Sequence, residues 1–253
     1  MLEAKQAFKI QLKQILAVAR KNVKIYYTEP PVLIFGLLLP AFLFLAFYQG
    51  RQMPIESLLP GLLGIIFFFG GSSVGPFIVP WETRTKTLER ILCAPISVSV
   101  LILGDIVGGF IFGVVISSLI LLAGILFLGV QIQNLAMIIV VIMLAAFCFA
   151  SLGTLFSALP TDKPSNVMML SNVVRLPVIF ISGVFVPLKE LPLLVRRIAV
   201  FSPVTYAVDV MRYLLGQESY FSAEISLSML LFFSILLFGL SVFLHKKTLL
   251  QRI

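Results

Sequence analysis

Apolar residues fall along this chain in six long runs, separated by short polar or broken connectors. The runs lie near residues 31–49, 57–79, 101–129, 134–158, 166–187 and 226–245. A bilayer core about 30 Å thick needs about 20 apolar residues per helix, so each run predicts a membrane span. The third is longer than a bilayer needs and has to tilt or emerge at one end. Residues 3–27 read differently. Phe8, Leu12, Ile15, Leu16, Ala19 and Val23 recur at helical spacing, and Lys5, Lys9, Lys13, Arg20 and Lys24 line the adjacent flank. Such a helix tends to lie in the membrane interface; a solvated helix packed on a partner is the other reading. Glu29-Pro30-Pro31 ends it, because proline disfavours helical geometry in the residue before it. The pattern predicts an all-α membrane protein with residues 1–253 as one transmembrane domain. Its parts are an interface helix over 1–30, helices one to five within 31–187 and helix six over 226–245.

Two connectors break the pattern. Residues 81–97, WETRTKTLERILCAPIS, are the most polar internal stretch. Trp81, Leu88, Ile91 and Leu92 share one helical face, Glu82 and Lys86 stand at i,i+4, and Pro95 stops the helix. A short charged helix with an apolar ridge suits a docking element; a solvated loop fits as well. Residues 188–216 are apolar yet broken by Pro192 and Pro203, with Pro187 just before them. The pieces 191–201 and 204–216 would each be about 15–20 Å long as helices, half a bilayer. Either they form a re-entrant hairpin between helices five and six, tolerated where protein or a water-filled cavity surrounds it, or an amphipathic surface helix.

Composition supports lipid as the solvent: 60% of residues are hydrophobic and 12% charged, against about 45–50% and about 25% in soluble domains. The net charge of +8 reads as an orientation signal, with no call for nucleic acid. With the N-terminus inside, thirteen Lys and Arg residues fall inside and five outside, Arg175 lying within a span. That bias puts both termini in the cytoplasm of a multi-pass plasma-membrane protein. Residues 188–216 then face outward and 81–97 inward. The first 30 residues hold no cleavable signal pattern. Cys93 and Cys148 form no metal or disulfide motif.

Candidate chemistry is sparse. There is no GxxxxGK[ST] phosphate loop, no carboxylate pair and no ligand cluster, which predicts a non-enzyme that binds no metal or cofactor of its own. Arg175, just before Pro177 in span five, has to face protein or water, since a mid-membrane arginine costs about 2.5–3.5 kcal/mol. It either contacts an anionic or amphipathic substrate or pairs with a carbonyl freed at Pro177 or with a neighbouring helix. Asp105, near the cytoplasmic start of span three, is expected to reach water. His245 is expected to cap span six at the interface. The Gly109/Gly113 pair is a weak dimer-seam pattern. A secondary transporter or channel, the competing class, would need acids near the midplane, where Arg175 stands alone.

Two stretches carry a family resemblance. Ser182 to Arg212 contains SGVFVPLKELP and then SPVTYAVDVMR, which closely resembles the SGxxxP…PxTYAxDxxR signature of type-2 ABC exporter permeases. Glu82, Thr87, Leu88, Glu89 and the later Pro95 resemble that family's ExxxGTLE connector, with Lys86 standing where glycine is usual. The resemblance covers essentially the whole chain. It implies a half-transporter that pairs with a second permease copy or paralogue and with two separate ATP-binding subunits. ATP and Mg would be bound on those subunits. It implies a coupling helix at 81–97, involving Trp81, Glu82, Lys86, Leu88, Glu89, Ile91 and Leu92. It also implies an extracellular gate drawn from Ser182, Gly183, Pro187, Pro192, Pro203, Tyr206, Asp209 and Arg212. The expected cargo ranges over drugs, lipids, polysaccharides and peptides.

Overall fold

The computed structural model describes residues 2–49 and 55–249, so Arg51 and Arg252, both counted in the orientation argument, lie outside the described residues. The amphipathic helix α1 (Leu2–Tyr26) meets the first apolar run at a corner of 91°. That run continues as α2 (Pro30–Leu33), a π-helical stretch at Ile34–Leu38, and α3 (Leu39–Gln49). Pro30 starts it because its missing N–H is not needed in a first turn and its φ is preset. The corner lets α1 lie along the surface that the first run crosses.

The second run is the centre of the molecule. It comprises α4 (Ile55–Ser72) and α5 (Gly75–Arg84), and nearly all of it is buried within the protein. Phe67, Phe68 and Phe69 are all buried, which only a helix surrounded on every side achieves for three successive residues. The run extends to Arg84, so Trp81 and Glu82 belong to it. A turn leads to α6 (Thr87–Leu92), then α7 (Val98–Leu128), α8 (Leu135–Phe156) and α9 (Pro164–Ile181). Two short helices follow, α10 (Leu193–Ala199) and α11 (Pro203–Leu214), and α12 (Ala223–Thr248) completes the fold. Five helical stretches among the described residues are long and apolar enough to cross a membrane, and six if α1 and the first run, bent by 91° where they meet, count together as one.

Helix limits follow local chemistry. Ser97 and Asn134 cap α7 and α8, their side-chain oxygens accepting from Val100 N at 3.3 Å and Met137 N at 3.0 Å. α7, 31 residues and about 46 Å long, runs until Gly129 takes a left-handed conformation. Gly109 and Gly113 pack against Ala150 and Ala146 of α8. The pair is therefore spent on contact within the chain, and the dimer-seam reading is corrected. The main core joins α4, α8, α11 and α12. α1, α6 and the start of α7 gather at one end, the near end; α10, α11 and the starts of α8 and α12 lie at the far end.

Candidate coupling and gate sites

Residues 81–97 do not form one connector helix. α5 runs through Trp81 and Glu82 to Arg84, and a turn then places Lys86 at φ 56. Lys86 is the one non-glycine residue with positive φ among the described residues. A left-handed conformation costs an L-residue about 1–2 kcal/mol, so Lys86 holds this turn at the expense of strain. The helix break also separates Glu82 from Lys86, and the expected pair does not form. Glu82 is buried; its Oε1 accepts instead from Lys21 Nζ, and from the Tyr26 hydroxyl at 3.2 Å.

The apolar ridge expected for docking faces inward. Leu88 is 1% exposed, in a cluster with Val18, Val79, Leu101 and Leu249, and Ile91 and Leu92 pack at its margin. Trp81 stacks on Phe77 at 5.1 Å, away from that cluster, with Arg84 over its ring. The face left to solvent includes Arg84, Lys86, Glu89, Arg90 and Cys93. Gln14 Nε2 donates to the Pro95 carbonyl at 2.9 Å. α1, the base of the central run and α6 are therefore tied at one corner.

Arg175 is buried on α9. The second run breaks at Ser73–Val74, which frees the Ser72 carbonyl, and Arg175 Nη2 donates to it. The guanidinium also lies over the rings of Phe69 and Phe156, at 5.9 and 5.7 Å. This bond pairs Arg175 with a neighbouring helix. The carbonyl comes from the break in the central run and not from Pro177. At the same break the backbones of two helices nearly touch: a Cβ on Gly75 would stand 2.3 Å from the Gly153 carbonyl carbon.

At the far end, the signature residues form a knot of side-chain-to-backbone bonds. Ser182 Oγ donates to Val178 O at 2.5 Å and pairs with Ser202 Oγ at 2.7 Å. Gly183 turns the chain at φ +76, and its carbonyl accepts from Arg212 Nη2 at 3.0 Å. Asp209 accepts from Tyr220 N and Phe221 N at 2.7 and 2.9 Å, and from Ser226 Oγ at 3.3 Å. Tyr206 donates to Val200 O at 2.8 Å, fastening α11 to the end of α10. Pro187, Pro192 and Pro203 start the short 3-10 turn, α10 and α11 respectively. In the exposed loop beyond, Lys189 pairs with Glu218 at 2.8 Å, and that hydrogen bond holds the Glu218 carboxyl below its usual range.

The two short helices are unequal. Leu193, Leu194 and, just after α10, Phe201 are exposed, whereas almost all of α11 is buried. Val184 and Val208 pack onto Gly61 and Gly64 of α4. Those glycines lie about 9–14 Å from the start of that helix. α11 therefore sits among the long helices, surrounded by protein, and α10 rides outside against α9.

An open groove of about 970 Å³ lies at the near end. Phe35, Phe77, Trp81 and Met168 form its walls, and Arg84 and Lys163 bring positive charge to its rim. It is the largest hollow described, and its aromatic wall with Arg84, Lys163 and the acid Asp162 around it suits an amphipathic molecule better than a simple ion.

A family model described as ABC-2 type transporter matches residues 13–215. The chain belongs to the ABC-2 type transporter family. As an ABC-2 permease it is 24% identical over 128 residues to the inner membrane transport permease YadH of Escherichia coli, covering 51% of this chain and 50% of that protein. It is 23% identical over 159 residues to the probable multidrug ABC transporter permease YbhS of the same organism, covering 62% and 42%. It is also 28% identical over 239 residues to the putative transport permease ycf38 of Cyanophora paradoxa, covering 88% and 81%. The chain thus spans about half the length of the YadH relative it matches.

Several contacts of this permease escaped the sequence reading. Asp105 does not reach water: it is 2% exposed and accepts from Asn22 Nδ2 at 2.7 Å. His245 is no interfacial cap; it is buried, with Nε2 at 3.1 Å from Ser157 Oγ and Nδ1 at 2.8 Å from the Ser241 carbonyl. The break in the central run had a signal, GGSSVGP at residues 70–76, a cluster of small residues and proline inside an apolar run.

Proposed function

We propose that this chain is the membrane-spanning subunit of an ATP-driven exporter. Two ATP-binding subunits, which hold ATP and Mg, work on its near end, and a second permease copy or paralogue completes the pathway. The basic-residue bias supports a plasma-membrane location with the near end and both termini in the cytoplasm. The groove walled by Phe35, Phe77, Trp81 and Met168 would admit cargo. The name of YbhS, a multidrug permease, fits an amphipathic one.

One observation carries this reading: the corner at the near end. The turn into α6 exposes Lys86 and α6 exposes Glu89 and Arg90, while Leu88 anchors it in the core and the central run leads directly away from it. A push on such an element reaches the middle of the molecule. The test is co-purification with the ATPase encoded beside the gene, using wild type and the double variant Glu89→Lys/Arg90→Glu, whose side chains are both exposed. Binding and ATP-driven transport are expected in the wild type and at least a tenfold loss of both in the variant. An unbound wild type, or a variant that binds and transports normally, would overturn the assignment.

A further inference from the structure

Asn22 on α1 and Asp105 on α7 meet in a site closed to water, 0% and 2% exposed. Asn22 Nδ2 donates to Asp105 Oδ1 at 2.7 Å. The remaining oxygens, Asn22 Oδ1 and Asp105 Oδ2, are both buried, and neither has a hydrogen-bond partner among the described residues. Two acceptors cannot bond to each other without a hydrogen between them. A carboxylic acid and a carboxamide solve this by forming two bonds side by side: the amide N–H donates to the acid's carbonyl, and the acid's O–H donates back to the amide oxygen. A single proton on Asp105 would satisfy both orphaned oxygens.

The surrounding charges favour the same state. Lys21, Asn22, Tyr26 and Tyr27 face this site from α1 and the turn after it, and Glu82 faces it from α5. The Lys21 ammonium is already bonded to Glu82. One ammonium does not neutralise two buried carboxylates, and a second buried anion is expelled or neutralised. The cations on the other helices packed on α7, Arg84 of α5 and Lys246 and Lys247 of α12, are all exposed. α8 contains no charged residue, and the one acid of α4, Glu56, is in its first turn at the opposite end. In α12, His245 is engaged by Ser157 and the Ser241 carbonyl.

We propose that Asp105 and Asn22 form a buried proton-binding site, in which Asp105 is the neutral acid and its proton bridges α7 to α1. Release of the proton to water leaves a carboxylate beside Glu82 and breaks one of the two bonds between α1 and α7. Proton occupancy is thereby linked to the corner that carries α6. The site is independent of the exporter reading, since it concerns the state of one side chain in the resting protein.

Infrared difference spectroscopy tests it, on the purified full chain in lipid nanodiscs with the aspartate side-chain carboxyl labelled with ¹³C. At neutral pH the expected signal is the carbonyl stretch of a protonated carboxylic acid that shifts with the label. It should be absent in Asp105→Asn, move in Asn22→Leu, where the acid loses its partner, and stay unchanged when sodium is added at fixed pH. The chain has three aspartates; Asp162 is exposed and Asp209 accepts two backbone amides. If Asp105→Asn fails to fold, the label and the response to Asn22→Leu therefore decide the matter alone. The proposal is overturned by any of four results: no label-sensitive acid band at neutral pH, a band that survives Asp105→Asn, a band indifferent to Asn22→Leu, or a band abolished by sodium, which would make this a cation site.

Discussion

The buried charged residues at the two ends of this permease find different main partners. At the far end, Asp209, Arg212, Tyr206 and Arg196 bond to backbone amides and carbonyls. At the near end, Lys21, Asn22 and Tyr26 bond to other side chains, Glu82 and Asp105. Buried polar atoms left without a partner among the described residues concentrate at the near corner, with four others, Ser117 Oγ, Asn172 Oδ1, Arg175 Nε and Ser241 Oγ, on α7, α9 and α12. Asn22 Oδ1, Tyr27 Oη, Glu82 Oε2 and Asp105 Oδ2 crowd the near corner, and the far knot has Arg196 Nε. Backbone partners fix a shape, because the main chain cannot rotate away. Side-chain partners with spare acceptors can be exchanged, at stakes that are high in a dry site. The far end is built to hold α10 and α11 in place, and the near end to tolerate rearrangement.

The sharpest way to break that contrast is charge reversal at the near corner. Glu82→Lys would bury a second ammonium beside Lys21. Breaking a buried pair costs about 3–5 kcal/mol, so the variant should lose most of its folded yield and show a large drop in the temperature of aggregation in detergent. The swap Lys21→Glu/Glu82→Lys restores opposite charges and should recover much of the loss. Failure of the swap to recover would show that Glu82 is fixed by Tyr26 and its position, as far-end residues are.

At the far end the corresponding change is Asp209→Ala. It strips the acceptor from two backbone N–H groups and from Ser226. Charge-assisted bonds contribute about 1.5–3 kcal/mol each, and donors left buried add their own cost; a loss of about 3 kcal/mol is expected. Hydrogen exchange should localise the effect to Tyr220 and Phe221 at the entry to α12. Loss spread evenly over the molecule would refute the picture of a local knot.

This division explains what the amino-acid sequence disclosed. The far-end signature was legible as a motif because its spacing is local: Ser182 to Arg212 folds back on itself, with prolines marking each helix start. Six runs and the corner at Glu29–Pro31 were legible from periodicity and proline geometry. The near corner was not, because Asn22–Asp105 and Lys21–Glu82 join residues 83 and 61 positions apart. Leu88 misled for a related reason. Its apolar face was visible, but what covers that face, Val18 and Leu249 among others, comes from both extremes of the chain. Arg175 was rightly recognised as needing a partner. That the partner is a carbonyl at a break in the central run depends on packing that no local pattern encodes.

The smallest effect concerns the one strained residue at the near end. Lys86 occupies a left-handed conformation that glycine adopts without penalty, and its side chain is exposed, with no bond to lose. Lys86→Gly should relieve the strain and stabilise the turn by about 1 kcal/mol, less the entropy that glycine adds to the unfolded chain. A rise of a few degrees in the aggregation temperature would register it. If α6 is a docking element, the same substitution also removes a positive charge from its exposed face. Weaker binding of the ATPase in a more stable protein would then separate the two roles of this position: Lys86 would be kept for its charge, with the strain in the turn as the cost of keeping it.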